Sequence, residues 1–220
     1  MEMVQQVVNA NTLTLREVRD RLQLRFKFGS KFEDFLDLSP LTALERDRLD
    51  EICQGWQNYY IDGKISEGMV SVLAITPILW ISGYVSDPAM KMSVEMNIED
   101  IAIDDDDTVI RGRMDMVVHQ RDEDDRAPLC VLVIESKNSS ADTSVGLPQL
   151  LTYAGTFLEH QEFVWGLVTN GREYQFVRLE SGLCREFPRL DLLQPEQADK
   201  ILEVMIAIRK AAHAIAHYPE

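Results

Sequence analysis

Residues 108–120 read TVIRGRMDMVVHQ and residues 127–137 read APLCVLVIESK, with the acidic connection RDEDDR at 121–126 between them. Two runs rich in Val, Ile and Leu, split by a polar turn, read as two strands joined by a hairpin-like connection. Side chains alternate along a strand, so Glu135 and Lys137 share a face while Ser136 points away. If the strands pair, Asp115 on the first reaches the face of Glu135 and Lys137 on the second. Two carboxylates and an ammonium at the end of an apolar strand are costly to bury as a group. They require solvent or a cation, and two convergent hard oxygens suit Mg²⁺.

The composition narrows the function classes. A chain of 220 residues with 45% hydrophobic content has room for one sizeable core. The net charge of −15 argues against a general nucleic-acid coat protein but not against a nuclease, whose metal site needs acids. No basic stretch followed by an apolar run opens the sequence, so no secretory signal is visible. The longest apolar run, residues 69–81, is too short to span a bilayer and contains Pro77, so no membrane is expected. Three widely spaced cysteines, Cys53, Cys130 and Cys184, fit reduced thiols in a cytoplasm better than a disulfide framework.

Outward from the central pair, residues 14–35 carry Arg16, Arg19, Arg21, Arg25, Lys27 and Lys31 among four acids. That pattern is a solvated helix face with internal ion pairs or a strip touching a phosphate backbone. Residues 41–60 look helical, opened by Ser39-Pro40. A second helix starts near Ser66, with Glu67 in its first turn. Residues 69–80 are apolar nearly all round and should be buried, with Pro77 bending or breaking the helix. Glu67 is either an acid favoured by the helix dipole or a neighbour of the metal. Residues 90–98 alternate as a strand, and residues 101–103 continue it or start a new short strand. The acid runs at 104–107 and 122–125 are solvated turns, since they lack the glycine and terminal Glu of a calcium loop. The polar segment 138–146 reads as a mobile loop at the mouth of the site. Residues 147–158 form a helix with Pro148 in its first turn, placing Gln149 and Tyr153 on one face. Residues 163–169 and 174–179 form strands around an Asn170-Gly171 turn. Residues 194–218 form a long amphipathic helix. His213 and His217 on it lack a third ligand at metal spacing and read as a surface or interface pair.

The order helix, strand, strand, helix, strand, with Asp115, Glu135-Ser136-Lys137 and Gln149 to Tyr153, resembles the PD-(D/E)xK nuclease superfamily, the restriction-endonuclease-like fold. More closely, GRMDMVV, VLVIESK, QLLTYA and WGLVTNGREYQFVRL resemble the nuclease domain at the start of type I restriction enzyme motor (R) subunits. The resemblance spans residues 67–179. An acid-x-Lys triplet alone is weak, and Asp62-Gly63-Lys64 is a second copy on a turn; the combination carries the likeness. Met114 stands where the family's name motif has Pro.

The resemblance implies an α/β fold with a restriction-endonuclease-like core. Its central mixed sheet of about five strands is flanked by helices, with N-terminal helices and a long C-terminal helix added. The chain would be a single domain, with a helical extension over 1–60, a nuclease-like core over 61–180 and the terminal helix over 194–218. Asp115 and Glu135 would hold Mg²⁺ or Mn²⁺, with the Ser136 carbonyl as a further ligand and Glu67 completing the site. Lys137 would orient the attacking water or offset charge on the phosphorane. Gln149 and Tyr153 would position the substrate backbone or the lysine. Arg111, Arg113, Asn138 and Gln149 would face the nucleic acid. The implied partners are DNA, a specificity or motor chain that supplies sequence choice, and a second copy bound through the terminal helix or the apolar helix after Glu67. The competing readings are a catalytically inactive module of this fold that binds nucleic acid or protein, and an α/β scaffold whose terminal helix mediates assembly.

Overall fold

In the computed structural model, which describes residues 6–102, 108–121 and 129–216, the first elements are strand β1 (Gln6–Asn9), helix α1 (Leu15–Arg21) and strand β2 (Arg25–Lys27). Helix α2 (Ala43–Ile61) follows, then α3 (Glu67–Val70) and α4 (Thr76–Ile81), joined by a π-turn over Ser71–Ile75. Strands β3 (Met90–Ala102), β4 (Thr108–Gln120) and β5 (Cys130–Ser136) lead to helix α5 (Leu147–Gly155). Strands β6 (Phe163–Thr169), β7 (Glu173–Glu180), β8 (Leu183–Glu186) and β9 (Leu190–Asp191) complete the sheet, and helix α6 (Pro195–Ala216) closes the described chain. The acid runs at 104–107 and 122–125 lie outside the described residues, as does His217.

Nine strands among the described residues form one mixed sheet in the order β1-β4-β5-β6-β7-β8-β2, with β3 added on β4 and β9 on β7. The expected five strands undercount it. The N-terminal segment is also more than helical: β1 and β2 pair in parallel with β4 and β8 at the sheet's margins. Both are short and take their conformation from a distant partner, so neither leaves a strong local pattern.

Helices cover both faces. Strands β5 and β6 are buried on both sides and read as continuous apolar runs for that reason. One face packs Trp56 of α2, Ile78 and Leu79 of α4 and Ile201, Leu202 and Met205 of α6. The other packs Val18 of α1 and Leu150, Leu151 and Tyr153 of α5 against Val117, Val133 and Val177. Leu132, Val133 and Ile134 show no exposed surface, and each such side chain contributes about 1.5–3 kcal/mol over an exposed one.

Several local readings change with the structure. The cap of α2 is Thr42 rather than Ser39-Pro40: its hydroxyl takes the N–H of Glu45 while Glu45 reaches back to the Thr42 N–H, a reciprocal capping box. Ser66 does cap α3. Proline has no N–H to give the preceding turn, and the π-turn just before Pro77 absorbs that loss, so the helix is re-phased at Pro77 rather than ended. Val72 and Trp80 on this segment are exposed, so it is not buried all round. Much of the apolar side of α6 packs inside the chain, where Tyr84 also donates to the Met205 carbonyl at 3.0 Å.

Candidate active site

The position of the site follows from how β4 is shared. Strand β3 occupies one edge of β4 along its length, from Met90 opposite Gln120 to Ala102 opposite Val109. The other edge is divided. Strand β1 pairs in parallel with residues 108–111, and β5 pairs antiparallel with residues 116–119. The carboxyl ends of β1 and β5 therefore run toward each other and stop, leaving that edge of β4 unladdered over Gly112–Asp115. Carboxyl ends of strands at such a break are where open sheets place ligands.

A cleft of about 470 Å³ opens at that break. The acids Glu67, Asp115 and Glu135 line it together with Lys137, Gln149 and Tyr153. Arg111 and Arg113 of β4, Asn9 at the end of β1 and Asn11 just after it line it too. The β4–β5 register, continued one residue past Met116 and Ile134, sets Asp115 across from Glu135, both on the α5 side of the sheet. Asp115 Oδ2 accepts the Ser136 N–H and hydroxyl, each at 2.7 Å. Ser136 is thus a clamp on Asp115, buried outside the cleft lining. Asn138 does not line the cleft either; its Oδ1 takes the N–H of Ser140 at 3.2 Å within its own loop.

Glu135 is the costliest group here. It is 1% exposed, its Oε1 is paired with the Lys137 ammonium, and its Oε2 has no hydrogen-bond partner. Burial, then the Asp115 charge, push its pKa up to about 8 against the pull of Lys137, and Glu67 adds to the rise. An orphaned carboxylate oxygen facing a second carboxylate suits a hard divalent ion that keeps much of its water. Among the described residues no three His, Cys, Asp or Glu side chains are grouped to hold a metal, so Glu67 lines the cleft without joining the other two in a three-ligand set.

The phenol of Tyr153 spans the break. Its oxygen accepts the backbone N–H of Arg113 and the Gln149 amide, each at 3.1 Å, and burial pushes its pKa up to about 12. Gly112 makes room for it, since a Cβ there would collide with the Tyr153 hydroxyl and stand 2.9 Å from its ring. A glycine inside a strand signals such close approach, and that signal was present in the sequence. Gly146 is packed as closely: a Cβ would lie 2.7 Å from Val168, 3.1 Å from Glu135 Cγ and 3.3 Å from Lys137 Cε. Asn9 and Asn11 carried no comparable signal.

The segment after Lys137 is tied down, contrary to the mobile loop expected from its composition. Ser139 and Ile65 exchange two bonds, 3.0 Å from the Ser139 N–H and 2.8 Å to its hydroxyl, which fix the entry to α3 and hence Glu67. Asn170 donates to Ala141 at 2.9 Å, and Asp142 pairs with Arg189 at 3.0 Å. Small polar residues there bond backbone instead of solvent. The basic residues of 14–31 do not form one strip. Arg16 and Arg19 pair with Asp20 on α1, whereas Arg25 and Lys27 lie on β2 at the far margin of the sheet from β1. Opposite Asp115 in the β3–β4 register, Glu95 adopts a left-handed φ of 51° and pairs with Arg113 at 3.3 Å.

No family model matches the chain, and no curated protein matches it. Among solved structures, a fragment described as an HsdR subunit of a type I restriction enzyme from Vibrio vulnificus YJ016 is similar over 62% of this chain and 26% of that one. The TM-score is 0.37 and the identity 21%. The chain thus spans about a quarter of that protein chain, and so loose a superposition does not define a shared core. No helix among the described residues is long and apolar enough to cross a membrane.

Proposed function

We propose that this chain is a divalent-metal-dependent nuclease of the PD-(D/E)xK type that hydrolyses DNA phosphodiester bonds, in restriction or other DNA processing. The observation that carries this reading is the meeting of Asp115, Glu135 and Lys137 at the break in the β4 ladder, with one Glu135 oxygen buried and unpartnered. Asp115 and Glu135 would hold Mg²⁺ or Mn²⁺, which supplies Lewis-acid polarisation of the phosphate and eases deprotonation of the attacking water. Ser136 fixes the Asp115 carboxylate through two hydrogen bonds. Lys137 would orient the water and offset charge growing on phosphorus. Tyr153 already accepts two hydrogen bonds, so its own proton is free for a phosphate oxygen. Sequence choice would come from a partner chain, and the three free cysteines accord with a cytoplasmic setting.

A second reading is a non-catalytic module of the same fold. The ion pair of Glu135 with Lys137 and the clamp of Ser136 on Asp115 favour it, because much of the triad is already satisfied inside the protein.

Cleavage of supercoiled plasmid, linear duplex and single-stranded DNA, with Mg²⁺ or Mn²⁺ and with Lys137→Ala alongside, separates the two. Cleavage lost with chelator and in the variant supports the nuclease. Metal binding undetectable by calorimetry, together with no cleavage of any substrate, would leave the binding module.

A further inference from the structure

The corner after β1 is held in shape by its own short bonds. Asn9 Oδ1 accepts the Asn11 N–H at 3.4 Å, Thr12 Oγ1 donates to the Asn9 carbonyl at 2.7 Å, and the Leu13 N–H returns to Ala10 at 3.3 Å. Ala10 is fully buried and anchors the corner, while Asn11 is exposed on the cleft wall. Lys137, Gln149 and Arg113 around the cleft each already have a partner, in Glu135, Tyr153 and Glu95. The Asn11 side-chain amide has no partner among the described residues. It stands on the β1 side of the break, whereas Asp115, Glu135 and Lys137 stand on the β5 side, in a cleft larger than a single phosphate group requires.

We propose that Asn11 contacts substrate directly, its side-chain amide donating a hydrogen bond to the nucleotide next to the phosphate held by Asp115, Glu135 and Lys137. This rests on the nuclease reading of the cleft and adds to it that the substrate is a polynucleotide strand laid across the break, not an isolated phosphodiester. The contact is neutral, so it adds affinity without adding a counterion-releasing charge.

The test is binding of fluorescein-labelled single-stranded and duplex oligonucleotides to the full chain in Ca²⁺, followed by anisotropy. Asn11→Ala should weaken binding of at least one of them about five- to tenfold, the worth of one hydrogen bond. Asn11→Asp should weaken it further, because a carboxylate there repels phosphate. The slope of log affinity against log salt should match that of the unmodified chain for Asn11→Ala, as no charge is removed. Equal binding of both oligonucleotides by both variants and the unmodified chain overturns the Asn11 assignment alone. Failure of the unmodified chain to bind either oligonucleotide overturns it together with the nuclease reading.

Discussion

The hydroxyl of Tyr153 accepts the backbone N–H of Arg113 at 3.1 Å and so replaces the strand that β4 lacks at that residue. A side chain from α5 completes the ladder where β1 has ended and β5 has not reached. Tyr153→Phe would leave the Arg113 N–H and the Gln149 amide short of an acceptor. A loss of about 1–2 kcal/mol is expected in urea denaturation. Gly112→Ala should cost at least as much, because its methyl occupies the place of the Tyr153 hydroxyl. A Tyr153→Phe variant as stable as the unmodified chain would mean that water already serves that N–H.

Gly146 bears on the placement of the Glu135–Lys137 pair. A methyl there must displace Val168, Glu135 or Lys137, and the last two can shift only by leaving their paired positions. Under the nuclease proposal, Gly146→Ala is expected to slow metal-dependent cleavage tenfold or more, since small misplacements of reacting groups are expensive. Its melting temperature should fall by only a few degrees. Full cleavage by the variant would show that the pair tolerates the displacement.

The buried Glu135 sets a pH dependence. Its pKa is raised in the fold from an ordinary 4.5 to about 8, so the folded state favours the protonated form. The stabilisation is complete below about 4.5 and lost as pH rises through 8. His119, whose pKa is lowered by burial, tilts the other way up to about pH 6.5. Without metal, the melting temperature of the unmodified chain should therefore fall relative to that of Glu135→Gln between pH 6.5 and 9. Mg²⁺ should raise it more at pH 8.5 than at pH 5.5. Parallel curves for the two proteins would refute a strained, buried carboxylate.

Gly171 is required by the core. It turns the β6–β7 hairpin with a left-handed φ of 86°, and a Cβ would strike the Trp56 ring, within 2.7 Å of Cζ2. Trp56 is fully buried. Gly171→Ala combines backbone strain with overpacking and should cost roughly 2–4 kcal/mol in denaturation experiments. A cost under about 1 kcal/mol would mean that α2 moves easily against the sheet.

Much of this geometry was legible because it is local. The β4 and β5 patterns carry Asp115 and the Glu135-Ser136-Lys137 triplet, and the four-residue spacing of Gln149 and Tyr153 puts both on one face of α5. What was hidden is non-local. Strands β1 and β2 exist because β4 and β8 receive them, so the expected helical extension missed two of the nine described strands and the wall bearing Asn9 and Asn11. The loop after Lys137 looked loose because its polar side chains could as well have faced water; their partners Ile65, Asn170 and Arg189 lie far off in sequence. The burial of α6 was hidden for the same reason, because its apolar side does not itself reveal that β-strands and α4 pack against it.

The head-on approach of β1 and β5 has a kinetic consequence. Asn9 and Asn11 reach the cleft from the start of the chain, whereas Asp115, Glu135 and Lys137 come from its middle. Loop-closure entropy delays contacts between such remote segments until the sheet that receives them exists. By sequence separation, the β6–β7 hairpin and the β4–β5 pair are expected to form before the parallel docking of β1 onto β4. The expected consequence is that the cleft matures after the domain has collapsed, read as exchange protection of β5 and β6 ahead of protection at β1.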